Sequence, residues 1–328
     1  MPKETYPPVL PSAASKPATI LEPIYRRQPD HPGVAHYLIH ACDSTELARQ
    51  GLHAARAYAR VAPSAPHALH MPSHIFTRLG LWEDSIASNE AARRAAREQG
   101  DVGEELHAMD YLTYAYLQRG QEAQAERIVA ELRAMGPLLG KDFKVGYAAT
   151  AMPVRLAVER GRWQDAATVE APPGSAPHVA ALAFWARALS AAHLGRTEQA
   201  DSAIAQIDAC GQRAQAAGDA YWATQIGVLS KEARAWKESA AGHAQVAQDL
   251  LHEAADAEDA LEKLPVTPGP VVPAREQLGS LLLAQQQPRR AWQELQVALR
   301  DAPGRRAALQ LAAQAAEKVG DSPVEKHR

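Results

Sequence analysis

The sequence predicts an all-α protein, a right-handed α-solenoid of stacked helix–turn–helix repeats, on three observations. Self-similar segments recur at a 34-residue step: His36 and His40 are matched by His70 and His74, and Gly161 by Gly195. A period of that length marks units that bury their apolar faces only by stacking. Alanine dominates a hydrophobic content of 46%, with aromatics at only 5%, which suits close-packed helices better than sheets. The chain has 328 residues, more than a single globular core sustains.

From the N-terminus, residues 1–17 hold five prolines and read as disordered or irregular. Residues 18–31 read as a half repeat, the second helix of a unit whose first helix is missing, so the chain is expected to start inside the solenoid. A turn glycine, an aromatic or basic residue and a small residue then mark successive units. They are Gly80 with Trp82 and Ile86, Gly120 with Ala125, Gly161 with Trp163 and Ala166, and Gly195 with Ala200. Two units run long, which a second helix extended over Ser85 to Arg97 explains. Residues 264–273 carry four prolines and read as an ordered Pro-rich loop, because proline removes helix hydrogen bonds. The last repeats follow, with Gln286 at the turn position and Gly320 one period beyond it. The solenoid is expected to span 18–322, about eight units, leaving 323–328 as a flexible tail.

Composition excludes several function classes. A formal charge of −3 offers no basic stripe to displace nucleic-acid counterions. No apolar run reaches the roughly 18 residues of a membrane span, and Met1–Tyr6 lacks a secretory apolar stretch. As written the chain reads as cytoplasmic. Cys42 and Cys210 imply no disulfide framework. There is no phosphate loop, so no nucleotide cofactor is expected, and neither a nucleophile elbow nor a His-Glu-x-x-His motif.

Leu278, Gly279, Leu282, Ala291, Ala298 and Pro303 follow the spacing Leu-Gly-x2-Leu-x8-Ala-x6-Ala-x4-Pro. This resembles the tetratricopeptide repeat. The segments His31-Pro32-Gly33-Val34-Ala35-His36-Tyr37-Leu38-Ile39-His40 and His70-Met71-Pro72-Ser73-His74-Ile75 also resemble a poorly characterised bacterial group of such proteins, as does Thr267-Pro268-Gly269-Pro270. The resemblance implies a fold and the place of a site, without a reaction.

Eight of the thirteen histidines lie between residues 31 and 107. At 100° per helical residue, His36, His40 and Asp43 fall within about 60° of one another, as do His67, His70 and His74, and His107 with Asp110. By the resemblance, these residues take the ligand-facing concave positions of consecutive first helices. Helices about 8–10 Å apart let their imidazoles share an ion at about 2 Å from each nitrogen. The predicted metal set is therefore His36, His40, His70, His74, His67, His107, Asp110 and Asp43, suited to a divalent Zn, Fe, Mn, Ni or Cu ion. Arg78, Arg155 and Trp185 are placed in the same groove, where they could hold a peptide, a protein segment or a small anion. Three functions stay open: a scaffold that binds metal, a metal-dependent enzyme, and a metal-free peptide- or anion-binding scaffold. His53, His178, His243, His252 and His327 read as incidental, Cys42, Trp82 and Trp163 as core, and Asp256, Glu258, Asp259 and Glu262 as a solvated face. Tyr221 and Trp222 could stack on a ligand, with their orientation open.

Overall fold

A computed structural model describes residues 15–261 and 267–320, and among these every regular element is a helix. In chain order they are α1 (Ser15–Arg27), α2 (Pro32–Ala41), α3 (Ala48–Val61), α4 (Pro66–His70), α5 (Pro72–Arg78) and α6 (Trp82–Gln99). Next come α7 (Val102–Gln118), α8 (Glu122–Ala134), α9 (Phe143–Glu159), α10 (Trp163–Ala166), α11 (Pro177–His193) and α12 (Thr197–Ala216). The chain continues through α13 (Ala220–Ala240), α14 (Ala244–Asp259), α15 (Ala274–Ala284), α16 (Pro288–Asp301) and α17 (Arg306–Val319). The first helices of the repeats are α2, α4 with α5, α7, α9, α11, α13, α15 and α17. Each of these except α17, the last described helix, packs on the second helix of its unit, and neighbouring first helices such as α7 and α9, or α11 and α13, pack on each other. This is an all-α solenoid.

Local chemistry explains the elements. Asp101, Asp142 and Asp219 cap α7, α9 and α13 by accepting the Glu104, Val145 and Trp222 N–H groups at 3.0, 3.1 and 3.2 Å, satisfying donors that a helix leaves orphaned. In α16, Ala291, Leu295 and Ala298 are buried, a one-sided stripe at helical spacing. α7 is buried over most of its circumference because first helices flank it on two sides and second helices cover its back. At the turn between paired helices the backbone is left-handed. Gln286 adopts φ 59 there, where Gly80 has φ 68 and Gly161 φ 61.

One boundary differs from the sequence reading. α1 begins at Ser15, inside the segment read as irregular; residues 1–14 and the tail 323–328 lie outside the described residues, as do 264–266 of the Pro-rich loop. The solenoid also closes on itself. Thr45 Oγ1 donates to the Asp301 carbonyl at 3.0 Å, Trp82 Nε1 to the Gly304 carbonyl at 3.0 Å, and the Arg306 N–H to Gln118 Oε1 at 3.0 Å. The last repeats thus touch the first ones.

Residues 267–271 run non-helically across the concave centre, and Thr267, Pro268 and Gly269 are buried there. Three arginines hold successive carbonyls of this segment. Arg78 Nη2 reaches Pro268 O at 3.2 Å, Arg155 reaches Gly269 O at 2.9 Å and Pro270 O at 3.1 Å, and Arg305 Nη1 reaches Val271 O at 3.3 Å. Each guanidinium is neutralised by a carboxylate: Asp43 at 2.9 Å, Asp110 at 2.9 Å, and Glu276 at 2.7 Å respectively. Buried loop carbonyls would otherwise lose their hydrogen bonds to water.

Candidate metal centre

The histidines come from three consecutive first helices. α2 starts at Pro32, with His31 as its cap accepting the Val34 N–H at 3.3 Å, and carries His36 and His40. In the second unit Pro72 interrupts the helix between α4 and α5, because its ring nitrogen cannot donate. His67 and His70 therefore lie on α4, and His74 on α5. α7 supplies His107 and, one turn on, Tyr111.

Six imidazoles converge. Ring centroids are 4.7 Å apart for His36 and His40, 5.5 Å for His40 and His74, 4.9 Å for His74 and His70, and 6.3 Å for His70 and His67. His67 returns to His36 at 5.2 Å, and His107 lies 4.3 Å from His70. Two triads emerge, a half-buried one of His36, His40 and His67 and a buried one of His70, His74 and His107. In each, one nitrogen per ring lies within 4.8 Å of the others.

In the buried triad, hydrogen bonds favour one tautomer for His70 and one for His74. Asn89 Nδ2 donates to the Ser85 carbonyl at 2.8 Å, which turns Asn89 Oδ1 towards His70 Nδ1 at 2.7 Å. His70 Nδ1 is thus the protonated nitrogen, and Nε2 carries the lone pair. His74 Nδ1 donates to Asp43 Oδ2 at 3.0 Å, with Tyr111 Oη 3.3 Å from the same nitrogen. Both Nε2 atoms face each other at 3.1 Å. With Nδ1 as the donor in each ring, the two Nε2 lone pairs face each other, an arrangement that a shared proton or a metal ion can satisfy. Two nitrogens on a tetrahedral ion with bonds of about 2.0–2.1 Å stand about 3.3 Å apart.

Electrostatics favour neutral rings at His36, His40, His70 and His107. Burial pushes His70 and His107 well down, and neighbouring histidines add to it. Burial and His74 bring His40 to about 3, and burial with His67 lowers His36. His40 Nδ1 is buried without a hydrogen-bond partner. His67 Nδ1 lies 3.4 Å from Glu104 Oε1. Burial raises Glu104, but His67 and Lys144 outweigh it and hold the carboxyl at about 2.

Other residues read from the sequence have partners of their own. Asp110 lies outside both triads and pairs with Arg155, which is fully buried beneath the Pro-rich segment. Asp43 sits behind His74 as its hydrogen-bond acceptor and pairs with Arg78. Arg78 and Arg155 bind the chain's own loop carbonyls, so neither lines an open groove. Trp185 is 1% exposed and belongs to the core between α9, α11 and α13. Glu258 turns inward, its Oε2 accepting the Ala274 N–H at 2.8 Å, while Asp256 and Asp259 pair with Arg275. Glu262 and His327 lie outside the described residues. His178 stacks on Trp222 with centroids 3.9 Å apart, so neither ring stands alone.

Sequence reasoning missed Asn89, Ser73, Tyr111 and Arg305. Ser73 stands between the paired histidines, its Oγ 3.4 Å from His70 Nδ1, a position that could have drawn notice. Asn89 comes from a second helix and Arg305 from the far end of the chain, where no local pattern points to either.

No protein-family model and no curated protein matches the chain. Among solved structures it is similar to a Signal Transduction ATPase with Numerous Domains protein with a tetratricopeptide repeat sensor from Pyrococcus horikoshii. That match has 15% identity and a TM-score of 0.41, covering 96% of this chain and 51% of the other. It thus spans about half the length of that protein. It is also similar to a tetratricopeptide repeat protein from Parabacteroides merdae, with 14% identity, a TM-score of 0.33, and 77% and 99% of the two chains covered. The chain's own helix pairs and left-handed turns define a tetratricopeptide-like α-solenoid. Within that class it is one whose first three repeats gather six histidines.

Proposed function

We propose that this solenoid binds a divalent transition metal through His70, His74 and His107, with His36, His40 and His67 as a second three-imidazole set beside it. The facing Nε2 atoms of His70 and His74 carry the reading, because each ring's other nitrogen is committed to an acceptor. Asp43 behind His74 and Asn89 behind His70 act as the outer partners that fix ligand orientation in metal sites. An all-imidazole donor set suits Zn, Cu, Fe or Ni, whereas Mn prefers carboxylate and water oxygens.

An enzymatic role has one specific support. Three histidines leave a tetrahedral ion an open position for water or substrate, the arrangement of catalytic rather than structural zinc sites. The metal-free scaffold reading has less support, since the concave centre that a peptide or small anion would use holds residues 267–271. Repeat solenoids generally present extended binding surfaces, and other faces of this one stay available to partners. No helix among the described residues is long and apolar enough to cross a membrane.

The test is the metal content of protein purified without an affinity tag, followed by titration with Zn, Cu, Fe and Ni against a chromophoric chelator. The expected result is at least one equivalent of metal, lost in the double variant His70→Ala with His74→Ala while helicity is retained. Absence of stoichiometric metal together with no competition by any of the four ions would remove the proposal.

A further inference from the structure

A second constellation lies away from the histidines, in the C-terminal half of the concave side. A cavity of about 60 Å³ opens between α9, α11, α13 and α14 beneath Pro270–Val272. That is several times the roughly 10–15 Å³ a single water needs. Half-exposed His178 and Trp222 form its mouth, Tyr147 and Trp185 its walls, and Glu232 and Glu258 its polar end.

Glu232 is 1% exposed. No hydrogen bond of normal geometry reaches its Oε2, the Trp185 indole N–H or His178 Nε2. Trp185 and Gln277 stand close enough to Glu232 to ease its ionisation in part. Burial and the neighbouring Glu258 prevail and push its carboxyl well up. Glu258 is fixed by the Ala274 N–H, and burial takes it to about 7. Among the described residues no lysine or arginine lines the cavity. Arg155 and Arg305, which hold the Pro270 and Val271 carbonyls above the cavity, are paired with Asp110 and Glu276. Burial brings His178 to about 4, leaving the mouth uncharged at neutral pH.

We propose that this cavity is a binding site for a small primary ammonium ion, whose N–H groups donate to Glu232 while its alkyl chain lies between the Trp222–His178 stack and Tyr147. An anion would meet two carboxyl groups without a counter-charge. A wholly apolar ligand would leave Glu232 Oε2 buried and unsatisfied, which costs free energy. A cation would stabilise the ionised form of Glu232 that burial disfavours, and it is attracted by aromatic faces. An N–H donor is needed because the orphaned atom is an acceptor, so a quaternary ammonium fits less well.

Isothermal titration of the full chain with n-butylammonium at about pH 8, where the amine is charged, tests this. Neutral n-butanol and tetramethylammonium serve as comparison ligands. The expected result is saturable binding of n-butylammonium only. Leaving the cation without its carboxylate, as in Glu232→Gln, should weaken it by at least about tenfold. Trp222→Ala at the half-exposed mouth gives a second reading if Glu232→Gln misfolds, and should weaken binding in the same direction. Binding should persist in the His70→Ala, His74→Ala variant, which separates this site from the metal centre. No saturable heat with n-butylammonium, equal binding of n-butanol, preference for tetramethylammonium, or unchanged affinity in folded Glu232→Gln would each overturn the proposal.

Discussion

His74 Nδ1 donates to Asp43 Oδ2 at 3.0 Å, and both side chains are almost wholly buried. The bond joins the second repeat to the end of the first across 31 residues. It leaves His74 Nε2 as the nitrogen that meets His70, and Asp43 spends its other oxygen on Arg78 at 2.9 Å. One carboxylate therefore orients an imidazole and anchors an arginine that holds the central loop.

Asp43→Asn should weaken metal binding without abolishing it. Losing an outer carboxylate partner of a ligating histidine typically costs about 10- to 100-fold in affinity. Competition with a chelator measures this, and an unchanged affinity would show that His74 is not a ligand.

Arg155→Met should destabilise the fold by about 3–5 kcal/mol, the usual cost of stripping one partner from a buried ion pair. It leaves Asp110 uncompensated and frees the Gly269 and Pro270 carbonyls. Urea denaturation reads the loss, and limited proteolysis should find residues 267–271 newly cleavable. Arg155→Lys should rescue only in part, since an ammonium cannot reproduce the planar fork.

Stability should rise with pH between about 5 and 6.5. Burial holds His36, His40, His70, His107, His178 and His193 below their ordinary value, His178 and His193 at about 4. In this window the unfolded chain takes up protons that the folded histidines refuse, so acidification favours unfolding. Asp110, Glu159, Glu232 and Glu258, raised by burial, act in the opposite sense but are fewer. Melting temperatures of metal-free protein across this range check the sign. A higher melting temperature at about pH 5 than at about 6.5 would contradict it.

Gly80→Ala should cost more than Gly100→Ala. Both glycines are left-handed, at φ 68 and 70, but a Cβ on Gly80 would collide with the Pro303 carbonyl oxygen while one on Gly100 meets nothing within 4 Å. The backbone term, about 1–2 kcal/mol, is common to both. The excess measured for Gly80 reports the closure of the first repeats on the last, and equal losses would mean that this contact stabilises nothing.

Much of this architecture was legible in the chain. The 34-residue step, the turn glycines and the alanine spacing are local signals, repeated because each unit has the same stacking problem to solve. They mark helix pairs, and even Gln286 at its turn. The same periodicity placed His36, His40, His70 and His74 on facing stripes, because azimuth on a helix depends only on residue spacing. Burial of Trp185 was not legible, since one residue's spacing cannot say whether a neighbouring helix or solvent covers it.

The sequence by itself therefore determined the repeat class and the gathering of histidines on the first three units. Only the tertiary structure decided that six imidazoles divide into two triads, that Asp43 and Asp110 serve arginines, and that the concave centre is filled. Those outcomes rest on partners far apart in the chain, such as Arg78 with Pro268 and Arg155 with Gly269, at separations of 190 and 114 residues. Periodicity fixes which way a side chain leaves its own helix. Which charge neutralises which depends on how the superhelix curves back, and that is set by packing summed over every repeat.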